Sequence, residues 1–218
     1  MAEDKNRVMP EEIIEVREAP KCQTLHASME ILTKHIEQAL EELDLNSVSE
    51  ILDDILSAKS IFVMGTGRSG LVGKAFATRL MHLGLRVYVV GESTTPALHS
   101  GDVVVAISGS GETLSIVDLG SVVKKIGASL IVVTSQPDST LGIMADKTVR
   151  IFGRAKNGKG DYLVQHLLGK YAKLSELAPL GTTFEITTLV FLDAAIAELM
   201  VRMGKDSKAL EDMHDKLQ

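Results

Sequence analysis

The chain has a single cysteine, Cys22, in 218 residues. That excludes an intrachain disulfide and puts a thiolate metal cluster out of reach, as suits a reducing, cytoplasmic compartment. Positive charge is also in deficit. With 23 Lys and Arg against 29 Asp and Glu, the net charge is −6, the wrong sign for a protein that grips nucleic-acid backbones through surplus cations. Any anion site must therefore be local. The opening MAEDKNRVMPEEIIEVREAP has neither the basic start nor the apolar run of a secretion signal, and no apolar stretch approaches membrane-spanning length. A soluble protein with no membrane partner is expected. There is no internal repeat, no low-complexity tract, and no His, Cys or carboxylate cluster at metal-ligand spacing.

What is present is 45% hydrophobic residues, enough for one full-sized core. Residues 1–22 are charged, carry Pro10 and Pro20, and are expected to form an arm. Over residues 23–43, Leu25, Met29, Ile31, Leu32, Ile36, Leu40 and Leu43 recur at helical spacing. A second helix is expected in SVSEILDDILSA, with Ser47 as N-cap and Glu50 as its capping-box partner. SIFVMG, LRVYVVG, DVVVAIS, ASLIVVTS and KTVRIFG then stay apolar through successive residues, as strands buried on both faces do. They alternate with helical segments. That pattern predicts a five-stranded parallel sheet in a single α/β domain of αβα type, with an N-terminal helical extension. The helices over residues 69–83 and 112–126 end at Gly84 and Gly127. Residues 154–181 break the alternation and read as an insertion. An apolar helix over 182–203 and a polar C-terminal helix or tail follow.

Two strand-to-helix turns carry the chemistry. Gly65-Thr-Gly67-Arg-Ser-Gly70 fits G-x-G-x-x-G, and Glu92 stands about twenty residues further on, where an acidic residue would hold the ribose of a dinucleotide. A nicotinamide-dependent oxidoreductase is thus one reading. The turn after the third strand, ISGSGETLS, favours another. It gathers Ser108, Ser110 and Thr113 with Gly109 and Gly111 at a helix start, where hydroxyls, freed N–H groups and the helix dipole all suit one phosphate. Two such turns at neighbouring strand ends suit a small phosphorylated molecule held between them. Glu112 must point away from that anion, or charge repulsion would oppose binding.

GTGRSG, ISGSGET and the βα pattern around them resemble the sugar isomerase (SIS) domain, in which the serine-rich turn holds a sugar phosphate. MGTGRSGLVGKAFATRLMHLG, VGESTTPAL, AISGSGETLS and APLGTTFEITTLVFLDAAIAELM are similar, more narrowly, to the 6-phospho-3-hexuloisomerase family. The similarity runs from about Ser60 to Leu217 and places residues 23–218 in one SIS domain. Residues 154–177 are longer than the family pattern. The resemblance implies interconversion of 3-hexulose 6-phosphate and fructose 6-phosphate through a 2,3-enediol, in the ribulose monophosphate pathway, with neither metal nor organic cofactor. It also implies a homotetramer whose sites are shared between subunits.

The same resemblance implies roles. Glu185 in PLGTTFE would be the catalytic base, although spacing alone reads Thr182-x-x-Glu185 as a capping box. His214 would be an acid/base or ring-opening group, in its own or a neighbouring subunit. Gly67, Arg68, Ser69, Ser108, Ser110, Gly111 and Thr113 would bind the substrate. His82, in the last turn of its helix, reads as structural, and His99 as a possible support to the site. His166 has no assigned role. Alternatives of the same fold are an arabinose 5-phosphate isomerase and a non-catalytic sugar-phosphate-binding module.

Overall fold

A computed structural model of the chain describes residues 22–152, 182–206 and 208. Apart from Cys22, the expected N-terminal arm lies outside the described residues, as do the 154–181 segment with His166 and the C-terminal tail with His214. The apolar runs form five strands, β1 (Ile61–Gly65), β2 (Val87–Val89), β3 (Val103–Ile107), β4 (Ser129–Thr134) and β5 (Lys147–Arg150). All pair in parallel in the order β2-β1-β3-β4-β5. Parallel neighbours need crossovers. Helix α3 (Gly67–His82) joins β1 to β2, α4 (Leu114–Ile126) joins β3 to β4, and the short α5 (Thr140–Met144) joins β4 to β5. Helices α1 (Gln23–Glu41) and α2 (Leu45–Ser57) precede the sheet, and α6 (Thr182–Met203) packs on α1, α2 and α3.

Alternation along the strands divides the core into two layers. Val63, Val105, Ile107, Ile131 and Val133 face α2, α3 and α6, while Phe62, Met64, Val104, Ala106 and Val132 face α4 and α5. Every residue of the central strand β3 is buried, which is why its sequence is apolar throughout. The expected αβα sandwich is the observed architecture. Gly127 closes α4 in the left-handed region at φ 81°, and Gly84 follows the end of α3 at φ 76°, the conformation that a side chain would resist.

Other boundaries differ from expectation. Ser47 is not the cap of α2. The helix begins two residues earlier, and the Asp44 carboxylate accepts from the N–H groups of Asn46 and Ser47 at 3.0 and 3.3 Å. An ionised cap at the positive end of the dipole displaces the serine alternative. Helix α1 stops at Glu41, two residues short of the expected Leu43, and α5 is a short helix that the sequence pattern does not signal. Among the described residues no helix is long and apolar enough to cross a membrane.

Two contacts fix α6. At its C-terminal end Arg202 donates to the Asp53 carboxylate at 2.7 Å and to the Ser49 carbonyl and hydroxyl at 3.0 and 2.9 Å, tying it to α2. Nearer its start, Thr187 Oγ1 lies 3.0 Å from Nδ1 of His35 on α1. His35 occupies the apolar face of α1 with Ile31, Leu32 and Ala39, and burial lowers its pKa below the ordinary 6.5. The unfolded chain therefore binds this proton more readily than the folded one. The stability that His35 contributes is complete above about pH 6.5 and is lost as pH falls through the lowered folded value. Urea midpoints at about pH 7.5 and about pH 5.5 should differ more for the wild type than for His35→Gln; equal differences would show that this histidine does not couple folding to pH.

Candidate active site

In an open parallel sheet, a crevice forms where strand order reverses and consecutive helices leave on opposite faces. Here that point lies between β1 and β3, whose ends pair as Gly65 with Ile107. Helix α3 leaves β1 towards one layer, and α4 leaves β3 towards the other. The two glycine-rich turns therefore stand side by side. The order is not the 3-2-1-4-5-6 of dinucleotide folds, and the carboxylate of Glu92 is engaged by Nζ of Lys74 at 2.5 Å.

The first turn is compressed. A Cβ on Gly70 would lie 2.8 Å from the Gly65 carbonyl oxygen, so α3 can start directly against the end of β1 only with glycine there. Gly67 adopts φ +55°, and Arg68 and Ser69 follow in the first helical turn. In the second turn Ser108 is buried, and both its carbonyl and its hydroxyl accept from the Gly111 N–H at 3.2 Å. The Ser110 hydroxyl accepts from the Glu112 N–H at 3.2 Å. Gly109 O receives the Ser135 N–H at 3.1 Å and the Ser135 hydroxyl at 2.6 Å. Gly111, at φ +63°, leaves room for Ser139, whose hydroxyl would be 1.8 Å from a Cβ. Glu112 turns towards α5, where both of its carboxylate oxygens accept bonds from Thr140.

Of the helices that follow strands, α5 is capped by the Ser139 side chain, whereas α3 and α4 begin at Thr66 and Thr113, neither of which makes a side-chain cap bond. First-turn N–H groups need partners from a side chain, water or a ligand. Both uncapped starts open on the same crevice.

Helix α6 brings the carboxylate. Phe184 lies over the serine turn, so close that a Cβ on Gly109 would sit 2.9 Å from its ring. The next residue, Glu185, accepts at Oε2 from Nε of Arg68 on the first turn. Its side chain is 13% exposed against 57% for that of Arg68, so the carboxylate is sheltered and the guanidinium faces solvent. Thr182 already lies within α6, so it does not stand before the helix as a capping box requires. The expected residues Gly67, Arg68 and Ser69, Ser108, Ser110, Gly111 and Thr113, and Glu185 thus come from three elements to one place, joined by the Arg68–Glu185 ion pair.

The histidines fall elsewhere. His82 is buried at the far end of α3, about 21 Å of helix from Arg68. His99 precedes β3, and its N–H donates to the Asp102 carboxylate at 2.8 Å. That is the opposite end of the strand from the serine turn, about 16 Å away, so within one chain it does not support the site. His35 escaped the sequence reading, although a histidine in phase with the apolar face of α1 was a visible signal. Among the described residues no group of three or more His, Cys, Asp or Glu side chains is arranged to hold a metal ion.

Comparison with known proteins agrees with this geometry. Residues 54–165 match the model of the SIS domain family. A 3-hexulose-6-phosphate isomerase of Bacillus subtilis is 36% identical, over 85% of this chain and 98% of its own. An uncharacterized protein of Archaeoglobus fulgidus is 46% identical over 87% of this chain and 98% of its own. A crystal structure from Methanococcus jannaschii, from which a function of 3-hexulose-6-phosphate isomerase was inferred, superposes with a TM-score of 0.71 at 34% identity, covering 88% of this chain and 99% of that one. The switch-point crevice, the serine turn and these homologies together make the chain a member of the SIS domain family, homologous over most of its length to 3-hexulose-6-phosphate isomerases.

Proposed function

We propose that the protein is a 3-hexulose-6-phosphate isomerase, a name equivalent to 6-phospho-3-hexuloisomerase, and that it interconverts 3-hexulose 6-phosphate and fructose 6-phosphate. The observation that carries this reading is the junction of Arg68 and Glu185 beside two uncapped helix starts. A dianion and a general base are thereby offered neighbouring places. The phosphate is received by the N-terminus of α4 with the hydroxyls of Ser110 and Thr113, supported by Ser108, Gly111 and the Gly67–Ser69 turn. The sugar then extends towards α6. Glu185 takes the proton from C2 of the 3-ketose, giving a 2,3-enediol, and returns a proton to C3 as the ketone forms at C2; one hydroxyl proton passes from O2 to O3 in the same interconversion. Arg68 is suited to steady the oxygen charge that develops, or the phosphate itself. His214 is assigned to acid/base or ring-opening chemistry, acting within its own subunit or across a boundary of a homotetramer. The reaction belongs to the ribulose monophosphate pathway and to the cytoplasm.

An arabinose 5-phosphate isomerase would use the same two turns, but an aldose–ketose exchange passes through a 1,2-enediol. With fructose 6-phosphate in deuterated water, NMR should show solvent deuterium entering at C3. Label confined to C1 would replace the proposed reaction with an aldose–ketose isomerisation.

The phosphate assignment predicts that Ser110→Ala combined with Thr113→Ala weakens fructose 6-phosphate binding by about 1.5–3 kcal/mol for each hydroxyl lost from a charged partner. Titration calorimetry giving the same affinity in mutant and wild type would remove the phosphate from this turn.

Glu185→Gln tests the base while keeping the shape of the side chain and an acceptor for Arg68. Turnover should drop by about two to four orders of magnitude with fructose 6-phosphate affinity largely retained. Near wild-type turnover would leave His214 as the leading candidate for the base.

A further inference from the structure

The SGSGET turn contains a contradiction. A loop shaped to receive a phosphate carries a carboxylate, Glu112, between two of its hydroxyl residues, Ser110 and Thr113. The structure resolves this by occupying both carboxylate oxygens. The backbone N–H of Thr140 donates to Glu112 Oε1 at 2.7 Å, and the Thr140 hydroxyl donates to Oε2 at 2.8 Å. We infer that Glu112 is a positioning residue for the phosphate site, holding the serine turn against α5 through this two-point clasp. The inference rests on the phosphate reading of the turn proposed above.

Three observations support it. First, α5 is a fixed reference despite having only five residues. Leu141 is fully buried among the residues facing α4, and Gly142 approaches Pro137 so closely that a Cβ would meet its carbonyl oxygen at 2.2 Å. Second, the clasp adjoins other contacts between the same segments. The Leu141 N–H donates to the Gly111 carbonyl at 3.1 Å, and Ser139 fills the space beside Gly111 that a side chain would need. Residues 111 and 112 are thus bracketed against residues 139–141.

Third, the backbone of Glu112 acts on a hydroxyl of the site. Its N–H donates to Ser110 Oγ at 3.2 Å. A hydroxyl has one proton and two acceptor lone pairs. With one lone pair engaged by Glu112, the Ser110 O–H remains available to donate to an anion, which is what a phosphate requires. Fixing Glu112 through its side chain therefore also fixes the direction of that donor. A base or acid role for Glu112 does not fit, since both oxygens already accept bonds from Thr140.

Charge and position make opposite predictions. If Glu112 mattered only as a negative charge near a phosphate, removing it would tighten binding; if it holds the turn, removing it loosens binding. Steady-state kinetics with fructose 6-phosphate, with inorganic phosphate as competitive inhibitor, should separate the two on the full-length protein. Glu112→Ala should raise the KM and the phosphate inhibition constant together, by about tenfold, the loss expected of hydrogen bonds to a charged group, with kcat changed by less than about twofold. Glu112→Gln keeps both clasp bonds, because its amide oxygen accepts from the Thr140 N–H and its NH2 donates to the Thr140 hydroxyl oxygen. It should return both constants to within about threefold of wild type. Thr140→Val, which removes one of the two bonds at similar volume, should shift both constants in the same direction as Glu112→Ala but less. Tighter phosphate inhibition in Glu112→Ala, unchanged constants there, or a Glu112→Gln protein as impaired as Glu112→Ala would overturn the clasp. Failure of phosphate to inhibit the wild type would instead overturn the phosphate reading, and this inference with it.

Discussion

The placement of β1 between β2 and β3 is the constraint from which the rest of the molecule follows. Because the chain runs from β1 outward to β2 and then returns past β1 to β3, right-handed crossovers send α3 and α4 to opposite faces. Their first turns are left facing a shared gap. The sheet that enforces this is held by two apolar layers rather than by any single contact. Side chains such as Leu80, Leu130, Ile131 and Leu199, almost wholly buried, each contribute roughly 1.5–3 kcal/mol relative to exposure. The apolar scaffold therefore presents a polar rim, and core residues such as Leu141 and Phe184 hold the segments that carry it.

At that rim, three segments far apart in sequence meet through small contacts of different kinds. Glycines at 65 and 70 allow backbone to lie on backbone, Phe184 lies on Gly109, and Arg68 joins Glu185. The ion pair is half open to solvent, so it adds little to stability. Its importance is geometric. Helix α6 is held at one end by the bonds of its own Arg202 to Ser49 and Asp53 of α2, and near the other by the aromatic contact, so Glu185 is carried on a rod fixed at both ends. Such support keeps a carboxylate in place without burying it beyond the reach of a ligand.

Much of the architecture was legible in the sequence because buried parallel strands leave little choice of residue. DVVVAIS and ASLIVVTS are apolar on both faces, and Gly127 stands where a helix must turn into the left-handed region. The helix start at α2 was misread because Asp44 and Ser47 are both good caps three residues apart, and spacing does not rank them. Helix α5 has only five residues, too few for a periodic signal, so nothing announced that Thr140 would meet Glu112. The composition of the two turns reads as that of anion cradles, and the structure sets them side by side at the ends of β1 and β3. The pairing of Arg68 with Glu185 joins residues 117 positions apart; resemblance had brought both to the site, but no local pattern could state that they touch. His99 shows the reverse problem, since proximity in sequence to β3 concealed that it lies at the wrong end of the strand.

The contact between Gly109 and Phe184 has a consequence for engineering. The ring occupies the volume that any larger residue at 109 would claim, so the loop and the helix form one mould divided between two stretches of chain. A serine turn transplanted from a related protein would arrive without its matching half, and a bulkier residue at 109 would lift the aromatic ring and tilt the start of α6. A substitution at residue 109 must therefore be matched by one at residue 184. Altering either segment alone would displace the other, and with it the neighbouring contact between Arg68 and Glu185.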